Sequence, residues 1–321
     1  DTSYSQRNGI GMIPIAIIGA GITGIACAQR LKEAGLKSVI FDKGRGIGGR
    51  VATRRIGGLQ FDHGAQYVSA HGREFAAVLE NLIVSGSATP WCTVNEHIGI
   101  VGSPGMSSLA KALAMDLEVR QNARVTSIEK IGNNWRFKTN DTDQTARTLI
   151  ITVPSPQVPA LLGLEHPLVS KLKGVSFAPC LTLMAAVCVP VSSMVWDDPN
   201  SSVSWIAQDS SKPNRSASDA STWVAHAGAK FSEQNLEKTP VELVDLMLPM
   251  LCDRLGVGLD QVSYASVHRW LYAHVIAPFG LPFLEHECSS LYLAGDWCIG
   301  SDVEAAWTSG TALANEIILR N

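Results

Sequence analysis

No two of the seven cysteines (Cys27, Cys92, Cys180, Cys188, Cys252, Cys288 and Cys298) are spaced as C-x-x-C, and their number is odd. That argues against a zinc ribbon or a disulfide framework and fits a reducing, cytoplasmic setting. An excess of either charge is missing too. With 26 Lys and Arg against 29 Asp and Glu, the net charge is −3. A reader of phosphate backbones needs a concentrated positive field, so no nucleic-acid partner is expected. No apolar run approaches the ~20 residues of a membrane-spanning helix, so no membrane partner is expected either. The longest candidate, LTLMAAVCVPV (181–191), reads as a buried strand. Residues 1–11, DTSYSQRNGIG, lack the apolar core of a signal peptide and read as a disordered leader or an added remnant ahead of Met12. Internal repeats and low-complexity tracts are also absent.

What is present starts at residue 13. IPIAIIGAGITGIACAQRLKEAGLKSVIFDK (13–43) reads as a β-α-β unit: a short strand apolar on both faces, a glycine turn, a helix with small residues at Ala26 and Ala28, and a second strand ending at Asp42. Gly19, Gly21 and Gly24 form G-x-G-x-x-G between strand and helix. The first glycine makes the tight turn, the second lets a pyrophosphate approach the backbone, and the third allows close helix packing. The helix N-terminus offers free N–H groups to phosphates, and Asp42 is placed to accept from a ribose hydroxyl. This spacing predicts dinucleotide binding.

Directly afterwards, FDKGRGIGGRVATRR (41–55) gathers five basic residues and four glycines. A simple nicotinamide-binding domain has no need of a second glycine-rich, arginine-containing loop. This one brings backbone N–H groups and Arg50 alongside the pyrophosphate, and lets an extended cofactor continue towards a second domain.

GREFAAVLENLIVSG (72–86) has helical apolar spacing, 117–139 reads as strands, and TLIITVP (148–154) as another buried strand. From about 157 to 286 long alternating strands replace the nucleotide-fold rhythm, interrupted by a helix at 239–256 with a Thr239–Glu242 capping box. DSSKPNRSASDAS (209–221) reads as a mobile loop. A last strand, SSLYLAGD (289–296), leads into a helix from about 303, with Ser301 and Glu304 as its expected capping box. The expected fold is α/β, a Rossmann-type cofactor domain (12–75, 101–156 and 287–321) interrupted by a mostly antiparallel α+β substrate domain (76–100 and 157–286).

FDKGRGIGGRVATRR, DHGAQYVSA (62–70), VGSPGMSSLAKAL (101–113), HRWLYA (268–273) and LAGDWCIGSDVEAAWTSG (293–310) together resemble the renalase-type flavoproteins of the amine-oxidase/glutathione-reductase-like FAD superfamily. The resemblance runs from residue 13 to about 319, and GAQY with GDWC and V-E-x-A-W is its most specific part. It implies FAD held by Gly19, Ala20, Gly21, Ile22, Thr23, Gly24, Asp42, Lys43, Arg45, Gly49, Arg50, Ala65, Gln66, Tyr67, Val125, Gly295, Asp296 and Val303. The positive end of the last helix would stabilise negative charge on a reduced flavin. Monoamine oxidases attach flavin through a cysteine near this last motif. Cys298 directly follows Gly-Asp-Trp, the wrong place for that bond, so FAD is expected to be non-covalent.

Amine oxidases tend to carry a lysine on a substrate-domain strand, and FAPCLTLMAAVCV (177–189) has none. Alternation in QVSYASVHRW puts Tyr264, Ser266, His268 and Trp270 on one strand face. By resemblance Tyr67 and His268 line the flavin-facing pocket. His226, Trp270 and Arg215 are further candidates for the substrate side. A site poor in acids and bases suits a hydride donor that mainly needs stacking against the ring. The resemblance therefore implies an oxidase of isomeric (2- or 6-) dihydronicotinamide dinucleotides, with O2 reduced to hydrogen peroxide. An amine or polyamine oxidase and a non-catalytic flavin-binding redox sensor are the alternatives.

Overall fold

Strand β1 (Ile13–Ile18) is buried at every position but Pro14, because it runs through the centre of a sheet covered on both faces. The computed structural model describes residues 11–94, 97–140, 142–192, 195–215, 218–288 and 290–321. The leader expected at 1–11 therefore lies, except for Gly11, outside the described residues.

β1 pairs in parallel with β2 (Ser38–Phe41) on one side and β10 (Asp143–Ile151) on the other. β2 continues in parallel to β7 (Glu118–Arg120), and β10 to β17 (Leu291–Ala294), whose antiparallel neighbour is β16 (Phe283–Glu285). The first half of β10 also pairs with β9 (Asn134–Lys138), which pairs with β8 (Ser127–Ile131). This is the β-α-β arrangement read from the glycine spacing, with strands from both ends of the chain in one sheet and β10 between them.

Helix α1 (Ile22–Glu33) and the C-terminal helix α8 (Val303–Arg320) cross at a backbone contact. A Cβ on Gly310 would stand 2.2 Å from the Thr23 carbonyl oxygen, and one on Gly24 2.1 Å from that of Gly19. The expected role of the third motif glycine is thus met, and Gly310 supplies the same service from the opposite helix. Helix α2 (Arg73–Val84) buries Phe75, Leu79 and Leu82, and α3 (Ser107–Leu113) packs beside α1. Two hairpins, β3 (Thr53–Ile56) with β4 (Leu59–Asp62) and β5 (Ala88–Val94) with β6 (His97–Gly102), lead towards the second sheet. Short helices α4 (Pro159–Leu162) and α5 (Pro167–Lys171) follow β10.

The second sheet is antiparallel, in the order β12 (Val195–Asp197), β13 (Val203–Gln208), β14 (Ser221–Ala227), β11 (Ser176–Val187), β15 (Val262–Ala277). Along β11 the period of two divides the residues cleanly. Leu181, Leu183 and Ala185 pack against Leu243, Met247 and Leu251 of α7 (Pro240–Leu255), while Thr182, Met184 and Ala186 face the other way. Helix α6 (Ala229–Gln234) covers the end of β11. The Thr239–Glu242 capping box forms as read, with Pro240 as the first helical residue and Gly256 closing α7 in the left-handed region.

Two expectations are corrected. Helix α8 is capped by Asp302, whose Oδ1 accepts from the Ala305 amide at 2.6 Å, and not by Ser301 with Glu304. Ser301 Oγ instead accepts from the Val275 amide, and Glu304 accepts from the amides of His71 and Gly72. Both side chains are committed to distant backbone, so the cap passes to the residue between them. The segment 209–221, read as a mobile loop, is anchored in the interior at its start: Asp209 and Lys212 are 0% and 2% exposed, while Ser211, Asn214, Ser218 and Asp219 face solvent. Residues 216–217 of that segment lie outside the described residues.

Candidate functional site

The glycine turn forms an open cradle. Gly19 sits at φ +110°, where an L side chain is strained, and its Cβ would press on Thr152 Oγ1. Gly21 is the N-cap of α1 and has no side-chain cap, which leaves the amides of the first turn directed outward. A Cβ added at Gly21 meets nothing within 4 Å, so the space beyond it is open. An anionic group there would meet the N-terminal amides and the helix dipole. Ile22 and Thr23 are buried behind the turn. The Asp42 carboxylate accepts from the Ala20 and Gly44 amides, both at 2.6 Å, which ties the first turn to the second loop.

The basic stretch at 41–55 folds back on that turn. Gly48 N donates to Ala20 O at 2.8 Å, and Gly21 and Gly48 form an isolated bridge. Gly48 and Gly49 both take positive φ, and a Cβ on Gly48 would stand 2.7 Å from Val51 O. Arg45 is exposed, and Lys43 reaches Gln157 Oε1 at 3.2 Å. Arg50 forms an ion pair with Asp296 at 2.6 Å and donates to the carbonyls of Tyr272 and Ala273. One guanidinium thus joins the glycine loop, the Gly295–Asp296 turn and strand β15. The GAQY turn rests on the same residue, since Ala65 N donates to Arg50 O. Val303 opens α8 beside this turn, whereas Val125 is 8% exposed and packs with Phe41 and Trp135.

On the antiparallel sheet, cross-strand register lines up a row of side chains. Trp205 on β13 pairs with His226 on β14, His226 with Thr182 on β11, and Thr182 with His268 on β15. Residues paired across a sheet share a face, so all four point to the side away from α7. Trp270 lies one step along β15 and donates its indole N–H to His63 O at 2.8 Å. Its ring stacks on His63 (5.4 Å) and meets His268 edge-on (4.4 Å). Tyr67 approaches Trp205 at 5.8 Å, and Gln66 Nε2 reaches His226 Nε2 at 3.4 Å. Tyr67, His226, His268 and Trp270 are therefore brought to one lining, with Gln66 joining them.

The imidazoles of this lining are neutral at physiological pH. Burial, then the neighbouring His268 and Arg54, push His63 down to about 4. Burial followed by Arg54 does the same for His268, also to about 4. His226 is pushed down to about 3 by burial, with smaller contributions from His274, Lys212 and His63. Arg54 Nη2 stands 3.5 Å from His268 Nδ1.

Arg215 does not belong to this lining, which corrects the sequence expectation. It is buried, donates to Asp62 Oδ2 at 2.5 Å and to Gly102 O, and cannot reach out to a substrate. Beside it Lys212 Nζ donates to Asp209 Oδ1 (2.7 Å), Asp62 Oδ2 (3.3 Å) and Gln66 Oε1 (3.3 Å). Three acceptors use all three N–H bonds of an ammonium group. A lysine does stand next to Gln66, supplied by the loop after β13 rather than by β11, but its donors are saturated. Burial raises the Asp62 carboxyl, and Lys212, Arg215, the Thr53 hydroxyl and the Met106 amide outweigh it, so Asp62 is the ionised acid. Asp209 is the weaker acid because burial dominates there.

A model of flavin containing amine oxidoreductases matches residues 82–318, and one of NAD(P)-binding Rossmann-like domains matches 17–82. The chain belongs to the flavin-containing amine oxidoreductases. As a member of that family it is an FAD-dependent oxidoreductase, and the cradle fits the cofactor: open space beyond Gly21, free amides at the helix end, and Arg50 with Asp296 beside them. Cys298 is fully buried, and burial pushes its thiol up to about 12, so it offers no thiolate for a flavin bond. FAD is bound non-covalently.

Protoporphyrinogen oxidase 2 of Arabidopsis thaliana is 32% identical over 68 residues, 21% of this chain and 13% of that protein. The 4,4'-diapophytoene desaturase of Staphylococcus aureus is 43% identical over 54 residues, 17% of this chain and 11% of that one. The matched stretches thus span little more than a tenth of these curated relatives. Likeness in fold is complete by contrast. A putative protoporphyrinogen oxidase from Exiguobacterium superposes with a TM-score of 0.76 at 15% identity, over 97% of this chain and 100% of that one. Putrescine oxidase superposes at 0.73 and 14%, again over 97% and 100%.

Several lining residues escaped the sequence reading. His63 lay inside the quoted DHGAQY motif and Arg54 inside the quoted basic stretch, but nothing local marks either as facing the second sheet. Trp205 lies on an alternating strand, and only register brings it beside His226. The ion network of Asp62, Asp209 and Lys212 has no sequence signature at all.

Proposed function

We propose that this member of the family is a renalase-type oxidase of isomeric (2- or 6-) dihydronicotinamide dinucleotides. The observation that carries the reading is the charge of the lining. It presents neutral imidazoles, indoles and a phenol, with Arg54 as its cation, and its nearest carboxylates among the described residues, Asp62 and Asp296, are each already paired with a cation. An alkylammonium group would find no unpaired anion among the described residues there. A planar dihydropyridine needs only aromatic neighbours and orientation.

In this reading residues 12–75, 101–156 and 287–321 form the FAD domain, with 76–100 and 157–286 the substrate domain. Gly19 to Gly24, Asp42, Lys43, Arg45, Gly49, Arg50, Ala65, Gln66, Val125, Gly295, Asp296 and Val303 hold the cofactor. The chemistry that bound FAD supplies is acceptance of a hydride equivalent and return of the electrons to O2 as hydrogen peroxide. Tyr67, His268 and Trp270 orient the ring of the donor, and Gln66 fixes His226 behind them. His268, kept neutral, is a positioning residue. Its replacement by alanine should weaken binding or slow reduction modestly, well short of the roughly 10²–10⁴-fold contributed by a general base.

Anaerobic stopped-flow mixing tests the substrate. The flavin should bleach rapidly with 2- or 6-dihydro-NAD(P) and at least roughly 100-fold more slowly with ordinary 4-dihydro-NADH, whose hydride is misplaced in the same stacked pose. Equal rates with NADH would refute the selectivity. Rapid reduction by putrescine or another amine, with the isomers inert, would give the assignment to the amine oxidases. No reduction by any donor would leave a redox sensor.

A further inference from the structure

We propose that Arg54 reads an anionic group of the substrate, a phosphate or pyrophosphate oxyanion carried beside the ring that is oxidised. The inference rests on the functional reading above only for which molecule carries that group.

The position of Arg54 follows from the hairpin that bears it. β3 and β4 pair with Arg54 opposite Phe61, and cross-strand partners share a face. Phe61 is fully buried against Met184, Ala186 and Val224 of the antiparallel sheet and stacks on Tyr264 at 5.6 Å. The Arg54 side chain leaves the hairpin on that same face and ends at His268. Its neighbour Thr53 is pinned at both sides, donating to Asp62 Oδ1 at 2.7 Å and accepting from the Ser107 amide at 3.0 Å. The guanidinium is thus carried on an anchored strand.

Among the described residues its surroundings lack a counter-charge. Arg50, Arg120, Arg136, Arg215 and Arg320 each have a carboxylate partner. Arg54 is half-buried, and among the described residues no carboxylate lies within 4 Å of it. Its polar contact is the imidazole of His268, with the second imidazole of His63 behind, 5.0 Å from the first ring. Asp62, on the partner strand, is already engaged by two cations, a hydroxyl and an amide. A cation withdrawn from water without a partner is costly, and an arriving oxyanion removes that cost. The planar fork of a guanidinium matches two oxygens of one phosphate, and its neighbours Trp270 and His63 provide a surface for the ring next to it. Arg54 would therefore distinguish a nucleotide from an uncharged molecule bearing the same ring.

The test uses the FAD-loaded enzyme, so that the cofactor fills its own phosphate cradle, with the variants Arg54→Gln and Arg54→Lys. Flavin reduction is measured with 6-dihydro-NAD, 6-dihydro-NADP and the uncharged 1-methyl-1,6-dihydronicotinamide. Loss of a charge-assisted contact should weaken the dinucleotides by about 10- to 100-fold in Arg54→Gln. The limiting rate should stay within about threefold, Arg54→Lys should recover part of the loss, and the methyl compound should be unaffected. Equal losses for the NAD and NADP isomers are expected, since both carry the pyrophosphate; a loss confined to the NADP isomer would put the remote 2′-phosphate at Arg54 and overturn the placement beside the oxidised ring. Similar weakening of the charged and uncharged donors, or unchanged dinucleotide binding, would overturn the proposal. Calorimetric titration of the same proteins with inorganic pyrophosphate is independent of turnover. Binding that Arg54→Gln abolishes supports the assignment even if no isomer reduces the flavin, an outcome that would sink the functional reading alone. No binding to wild type, or equal binding to both proteins, overturns it.

Discussion

Replacing Lys212 with methionine removes a buried cation from between two buried carboxylates, and its cost can be worked from the contacts. The side chains of Lys212, Asp62 and Asp209 are 0% exposed. Taking one partner from such a pair costs about 3–5 kcal/mol, because the remaining charge is stranded away from water. Here the lower end applies. Asp62 keeps Arg215 at 2.5 Å, so the acid left in need is Asp209, whose nearest remaining cation is Arg215 Nε at 3.9 Å. A loss of about 3 kcal/mol at roughly 2 °C per kcal/mol for a chain this long lowers the unfolding midpoint by about 6 °C. Release of flavin fluorescence and loss of far-ultraviolet ellipticity during heating would both report it.

The pH dependence has a definite sign. The Asp209 pKa is already raised in the folded protein, chiefly by burial, and losing Lys212 raises it further. A folded pKa above the unfolded one contributes stability at low pH that disappears as pH rises through the folded value. The deficit of Lys212→Met should therefore widen from pH 5 to pH 8. Adding Asp209→Asn should recover at least half of it at pH 8, since the stranded charge is then gone. A single variant within 1 kcal/mol of wild type, or a double variant no more stable than the single, would refute the reasoning.

Gly21→Val should give folded protein without flavin: φ −74° and ψ 176° suit valine and its Cβ meets nothing of the chain, but the side chain occupies the open space of the cradle; a full flavin-to-protein absorbance ratio would contradict this. Burial alone would raise the Cys288 thiol pKa, but hydrogen bonds with Ser290, His286 and Lys130 outweigh it and bring the value to about 7. Iodoacetamide labelling of Cys288, followed by mass spectrometry, should rise with a midpoint near that pH and shift upward in His286→Ala; a midpoint at the ordinary value of about 8.5 would refute the cluster's effect.

Local patterns determined a good deal of this protein. The β-α-β unit, the two glycine loops and the capping box of α7 depend on conformational freedom and spacing within a few residues, and each is where the sequence puts it. The shared face of His268 and Trp270 follows from the period of two along β15. FAD binding was legible for the same reason, because a pyrophosphate is held by backbone geometry that only particular glycines permit.

Tertiary structure decided the rest, where partners come from far along the chain. A Ser-, Pro- and charge-rich stretch such as 209–215 reads as solvated until Asp62, about 150 residues earlier, supplies a charge for Lys212. Residue type places Asp302 no higher than Ser301 as a cap; the Val275 amide and the amides of His71 and Gly72 decide between them. The row Trp205, His226, Thr182, His268 depends on how four strands are aligned, a quantity no single strand encodes. Arg54 is one arginine among several in a basic loop, and only the hairpin's packing against the second sheet brings it to His268 and leaves it, among the described residues, without a carboxylate.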